Sequence, residues 1–88
     1  MGNKIYEKNI SCRVKIVNGE IFLTHDYRQL EFNHSAYAVW KCINGKTTAE
    51  QIVNKIAQEY TVDINIVRED VFGLLQNWEQ QKMIDIVD

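Results

Sequence analysis

The sequence has 88 residues, of which 45% are hydrophobic and 25% are charged, and its formal net charge is −2. This length and composition predict a single folded domain, residues 1–88, and argue against a disordered chain. Proteins that bind nucleic acids usually carry a basic excess, because phosphate contacts supply much of their affinity, so we expect no nucleic-acid partner. No segment has the pattern of a membrane span or a signal peptide, so we expect a cytoplasmic protein with no membrane partner.

The first third of the chain has the pattern of β-strands. Polar and apolar residues alternate over Arg13–Val17, and Asn18-Gly19, the strongest short hairpin signal, follows directly. A second β-rich segment covers Glu20–Thr24, and a turn at His25-Asp26 leads to a third strand at Arg28–Phe32. We therefore predict an antiparallel meander of three strands, with the third strand at its edge.

The rest of the chain has the periodicity of helices. The predicted helices are His34 to about Cys42, Thr48–Tyr60 and about Ile66 to Lys82. Asn33 is a good N-cap for the first helix, and Asn44-Gly45 is a typical end signal. Thr47 and Glu50 have the spacing of a capping box for the second helix. Residues 83–87 form an extended tail that can pair with a strand.

Three strands followed by three helices predict an α+β domain whose helices cover one face of the sheet. The second and third helices form a helix-turn-helix. With the strands added, the predicted fold is a winged helix-turn-helix.

Residues that carry catalysis or bind metals are scarce and widely spaced. Cys12 and Cys42 lie 30 positions apart, and His25 and His34 complete no close-spaced ligand set such as CxxC or HExxH. A glycine-rich phosphate loop and a nucleophile elbow are also missing from the sequence. We therefore predict no catalytic residue, no metal site and no cofactor, and we expect a binding domain rather than an enzyme.

The predicted edge strand suits the binding of an extended peptide. It carries no proline that would block pairing, so a peptide backbone could bond to it while alternate side chains pack against a helix. We expect one of Gln29 and Glu31 to direct its N–H toward such a peptide. The alternative is that the N-terminal residues or the tail cover this edge.

The third helix offers a possible second wall for the peptide. Its core stripe consists of Val67, Val71, Leu74 and Trp78. Phe72 and Leu75 extend the apolar surface onto one flank, which charged residues border; the alternative is that Phe72 packs in the core. The residues predicted to bind the peptide are Arg28, Gln29, Leu30, Glu31, Phe32, Arg68, Val71, Phe72, Leu75 and Glu79.

The order of residues over about positions 10–86 resembles a known family. The matching runs are Leu30-Glu-Phe-Asn33, Tyr37-Ala-Val-Trp40, Ile43-Asn-Gly45-Lys-Thr-Thr48, Gln51-Ile-Val53, Ile56-Ala57, Tyr60, Glu69-Asp70-Val71, Leu74-Leu75 and Met83-Ile84. They are similar to the PqqD-like family, also called RiPP recognition elements. These domains bind leader peptides of ribosomally made, modified natural products.

The resemblance implies a winged helix-turn-helix that holds the leader region of a precursor peptide as an added strand, against the third strand and the third helix. It also implies a separate enzyme as a second partner. The run Glu-Tyr-Thr-Val-Asp after the second helix looks most like recognition proteins of lasso-peptide pathways, where the partner is a leader peptidase. Stand-alone relatives that serve radical-SAM enzymes, including those of pyrroloquinoline quinone synthesis, are the alternative.

A DNA-binding winged helix is the main alternative from another functional class. The third helix would then be the recognition helix, but a net negative helix meets phosphates unfavourably. Its charged residues are Arg68 and Lys82 against Glu69, Asp70 and Glu79. A structural subunit that bridges two enzymes without binding the leader is a further alternative.

Overall fold

The computed structural model describes residues 2–87. The elements in chain order are β1 (Ile5–Lys8), β2 (Arg13–Val17), β3 (Glu20–His25), β4 (Arg28–Phe32), α1 (His34–Lys41), α2 (Ala49–Tyr60), α3 (Ile64–Gln80) and β5 (Ile84–Val87). The predicted α+β winged helix-turn-helix, with a three-stranded antiparallel sheet and three helices, is confirmed. No helix within the described residues is long and apolar enough to cross a membrane.

Two tight hairpins build the three-stranded sheet, whose order is β2-β3-β4. Asn18 and Gly19 have φ of 52° and 80°, and Asp26 and Tyr27 have φ of 48° and 66°. Positive φ at both central residues is what a type I′ turn requires, and its twist matches the twist of the flanking strands. The second turn lies one residue later than predicted, because His25 is the last residue of β3. β4 is an edge strand, as predicted.

A separate two-stranded sheet pairs β1 with β5 in antiparallel register, from Ile5 opposite Val87 to Lys8 opposite Ile84. The tail therefore pairs with a strand, but β1 was not predicted from the sequence. Because β1 and β5 pair with each other, neither of them covers β4.

The helix starts follow local capping bonds. The Ala36 N–H donates to Asn33 Oδ1 at 2.7 Å, which confirms the predicted cap of α1. The predicted capping box at α2 was wrong by one residue. It joins Thr48 to Gln51, with bonds of 3.1 Å and 2.8 Å. α3 begins two residues earlier than predicted, because Asp63 caps it.

Three aromatic side chains join β4, α1 and α3 in the core. Phe32 stacks on Trp78 with ring centroids 5.4 Å apart, and both rings make T-shaped contacts with Trp40. All three are buried. Their packing fixes the end of β4 against α3, so the edge strand and the third helix form the two sides of one surface.

Candidate functional site

The free edge of β4 presents backbone groups at alternate residues. In the type I′ turn the Arg28 N–H bonds to the His25 C=O, and bonded pairs then alternate along the ladder. Leu30 and Phe32 therefore bond to β3, and Gln29 and Glu31 direct their N–H and C=O groups outward. We expected only one of these two residues to face outward. In the observed register both residues face outward, because they lie two positions apart.

Beside this edge, a groove separates β4 from α3, with a volume of about 260 Å³. We call it the β4–α3 groove. Its lining residues are Leu30, Glu31, Phe32, Asn33, Ala36, Leu74, Asn77, Trp78 and Gln81. Aromatic and aliphatic side chains are combined with three amides, so the groove can take apolar side chains and bond to polar groups.

The groove continues along α3 as a wider depression of about 790 Å³. Gly73 lies in it between Leu74 and the acidic residues Glu69 and Asp70. A Cβ added at Gly73 would meet no heavy atom within 4 Å, so this part of the helix surface is open. A glycine in a helix interior costs stability, and here its backbone is left accessible from the groove.

The structure divides the ten predicted site residues into three groups. The residues of β4 lie along the free edge, and Leu30, Glu31 and Phe32 also line the β4–α3 groove. Val71 and Leu75 are core residues, with exposed fractions of 1% and 0%. The position predicted for Leu75 in the groove was therefore wrong.

The remaining three residues lie on another surface of α3. Arg68 donates two hydrogen bonds to the Glu50 carboxylate on α2, which lowers the pKa of Glu50 and raises the pKa of Arg68. Phe72 packs against the core near Gly2. Glu79 lies close enough to Tyr6 of β1 to add to the effect of burial in raising the pKa of that phenol. None of these three residues lines the β4–α3 groove.

The sequence predicted a groove on the Phe72 and Leu75 flank of α3, whereas in the structure the groove beside β4 lies on the Leu74 flank. Leu74, which we assigned to the core, is half-buried and lines the groove. Asn77 and Gln81 follow it at helical spacing and were not predicted. A helical wheel shows the width of the apolar stripe but not which side of it α2 covers. The hydrogen bonds from Arg68 to Glu50 hold the start of α2 beside the Arg68 flank of α3, and Leu74 lines the groove beside β4.

A sequence profile described as "Coenzyme PQQ synthesis protein D (PqqD)" matches residues 21–84. The chain belongs to the PqqD family. The match begins in β3 and ends at the start of β5, so it includes β4, all three helices and the β4–α3 groove. It confirms the resemblance noted in the sequence. No curated protein sequence matched the chain.

Two solved structures are similar to this PqqD-family chain. The first is described as "TbiB1 in Complex with the TbiA(beta) Leader Peptide", with a TM-score of 0.77, 18% identity, and coverage of 90% of this chain and 94% of that one. The second is the solution structure of the PqqD truncation of Methylobacterium extorquens PqqCD, described as a stand-alone RiPP recognition element. Its TM-score is 0.81 at 22% identity, with 97% of this chain and 93% of that one covered. At these identities the likeness shows the fold.

Proposed function

We propose that this PqqD-family protein binds the leader region of a ribosomally synthesised precursor peptide as an added strand on β4, and delivers it to a separate processing enzyme. The observation that carries the proposal is the free edge of β4 beside the β4–α3 groove. An open edge supplies backbone hydrogen bonds to any extended peptide, and the groove selects among side chains.

The backbone of β4 would hold the peptide by two bonded pairs. Gln29 and Glu31 each offer one N–H and one C=O, so an antiparallel peptide with residues opposite both would make four hydrogen bonds. Peptide side chains that alternate toward α3 would enter the groove and contact Phe32, Leu74 and Trp78. Two or three such apolar contacts support a Kd of about 1 µM or somewhat tighter.

The likeness to solved structures supports the binding of a leader peptide. TbiB1 was solved with a leader peptide bound, and the Methylobacterium extorquens domain is described as a recognition element for ribosomally made, modified peptides. Since the fold is shared over at least nine-tenths of this chain, the likeness supports a peptide-binding role for this chain.

The enzyme that receives the peptide is proposed to be a leader peptidase of a lasso-peptide pathway. The second candidate is a modifying enzyme, such as the radical-SAM enzyme of pyrroloquinoline quinone synthesis. The description of the matched family, which names coenzyme PQQ synthesis, favours this candidate. In either case we propose that the domain itself acts in the cytoplasm by binding and not by catalysis.

The charge of the groove disfavours the DNA-binding alternative. Glu31, Glu69 and Asp70 all line the groove or its continuation on α3, and all three are exposed. A phosphate backbone laid along this face would meet three carboxylates. A cationic or neutral peptide on the same face would not be repelled by these carboxylates.

A random 16-residue peptide display library provides the test. The protein should enrich peptides with alternating apolar residues, and Glu31→Pro should weaken their binding at least tenfold, because it removes an outward N–H from β4. Val14→Pro is the matched control, since Val14 lies in β2, the other edge strand, where the same alternation directs its N–H outward. Equal loss in both variants, or no enrichment at all, would contradict the proposal.

A further inference from the structure

A second cavity lies beyond the far end of the groove, between α1, the end of α2 and α3, with a volume of about 190 Å³. We call it the Val62 cavity. Its apolar walls are Val39, Ile56, Val62, Val67, Val71 and Leu74. Ser35 and Asp70, both exposed, lie at its mouth with Tyr60.

The turn after α2 keeps this cavity open to solvent. Thr61 ends α2 in the left-handed conformation, with φ of 54°, and the Val62 N–H bonds back to the Ala57 C=O. The exposed fractions of Tyr60 and Val62 are 51% and 42%. An apolar cavity of about 150 Å³ can hold a benzene molecule, so this one has room for a leucine, isoleucine or phenylalanine side chain.

The Val62 cavity and the β4–α3 groove adjoin the same wider depression and share lining residues with it. Leu74 lines both, and Ser35 and Asp70 line both the cavity and the wider depression. Along α3 the path runs from Asn77 to Asp70, which is about 10 Å at the helical rise and about three residues of extended peptide.

The direction of β4 determines which part of a bound peptide reaches the cavity. A peptide antiparallel to β4 has its N-terminal end beside Phe32, where the chain turns at Asn33 into α1. Residues that precede the strand-paired segment would therefore pass over Gly73 toward Asp70 and Val62. Antiparallel pairing continues the pattern of the sheet and is slightly more stable than parallel pairing.

The path between the two sites is acidic. Glu69 and Asp70 are exposed beside Gly73, and neither forms an ion pair with another residue of the segment 2–87. A peptide segment that crosses this surface gains from a lysine or arginine, whose charge complements both carboxylates.

We propose that the Val62 cavity is a second subsite for the leader peptide. It takes one apolar side chain of leucine to phenylalanine size, three to five residues N-terminal to the segment paired with β4, with a basic residue between the two. This inference rests on the proposed function and adds a second anchor to it.

The test uses the 16-residue display library, then full-length and shortened forms of an enriched peptide. The shortened form ends at the strand-paired segment. Val62→Asp should weaken the full-length peptide about tenfold and leave the shortened one unchanged, because a carboxylate at the cavity wall opposes apolar burial. Ile66→Asp is the matched control: Ile66 is 56% exposed, lies outside the cavity lining, and should affect neither peptide.

Thermal melting followed by circular dichroism checks the fold of each variant. If Val62→Asp is unfolded, Tyr60→Ala provides the same comparison from the mouth of the cavity. Enriched peptides with no upstream apolar residue, or with one only on the C-terminal side, would overturn the second subsite. They would leave strand pairing on β4 intact. Peptide binding that Glu31→Pro does not weaken would instead overturn the proposed function and this inference together.

Discussion

Neighbouring residues on α3 differ in what they contact. Leu75 is completely buried, and Leu74 lines the groove, although both are leucines one position apart. The sequence places both leucines on an apolar helix face, but which of them is buried depends on how α2 and α3 cross. That contact joins segments whose relative orientation leaves no local sequence signal. Side-chain roles at this scale were therefore the least predictable part of the site.

Alanine at each leucine should separate stability from binding. Leu75→Ala should lower the free energy of unfolding by about 2–5 kcal/mol, because it opens a cavity in the core. Leu74→Ala should cost less than half of that and should weaken peptide binding, since Leu74 contributes to both the groove and the Val62 cavity. Urea denaturation and peptide titration measure the two effects. Equal losses of stability, with peptide binding unchanged in Leu74→Ala, would contradict the assignment.

Gly73 offers a test in which stability and binding should change in opposite directions. Gly73→Ala should raise the free energy of unfolding by about 0.5–1 kcal/mol, because the helix gains a better helix former and the new methyl group meets no neighbour. The same methyl group would intrude on a peptide that crosses α3, so affinity should fall. Thermal melting measures the change in stability, and calorimetry measures the change in peptide affinity. A stabilised protein with unchanged affinity would indicate that the peptide avoids Gly73.

At the scale of elements, local signals predicted most of the fold. Asn18-Gly19 gave the first hairpin and Asn33 the start of α1, because each residue satisfies its backbone geometry without distant contacts. β1 was missed because its partner, β5, lies nearly the whole chain away, and only Tyr6 in it is fully buried. Short strands that depend on such distant pairing carry little sequence pattern of their own.

Two adjacent threonines test the corrected capping box. Thr48→Ala should reduce the free energy of unfolding by about 1 kcal/mol, because its hydroxyl accepts the Gln51 N–H at the start of α2. Thr47→Ala should change it by less than about 0.5 kcal/mol, as expected for a substitution away from a cap. Chemical denaturation of both variants decides between the two positions. A larger loss of stability in Thr47→Ala than in Thr48→Ala would instead support a capping box formed by Thr47 and Glu50.

At the scale of the whole molecule, the pairing of β1 with β5 joins the two ends of the described chain and leaves the three-stranded sheet with two free edges. The edges differ in what lies beside them. β4 borders the groove and α3. At the other edge, Val14 and Ile16 of β2 remain exposed, although their partners in β3, Leu23 and Ile21, are buried. A peptide on β4 can bury side chains as well as pair its backbone, so the proposed function assigns binding to that edge.

Residue-resolved amide exchange, followed by NMR as a selected peptide is added, tests the central claim most directly. Protection should rise at Gln29 and Glu31, whose N–H groups face outward, and change little at Leu30, which already bonds to β3. Val14 and Ile16 on the other edge should be unaffected. Unchanged exchange at Gln29 and Glu31 in the peptide-bound protein, with new protection only on α2 or β2, would contradict strand addition on β4.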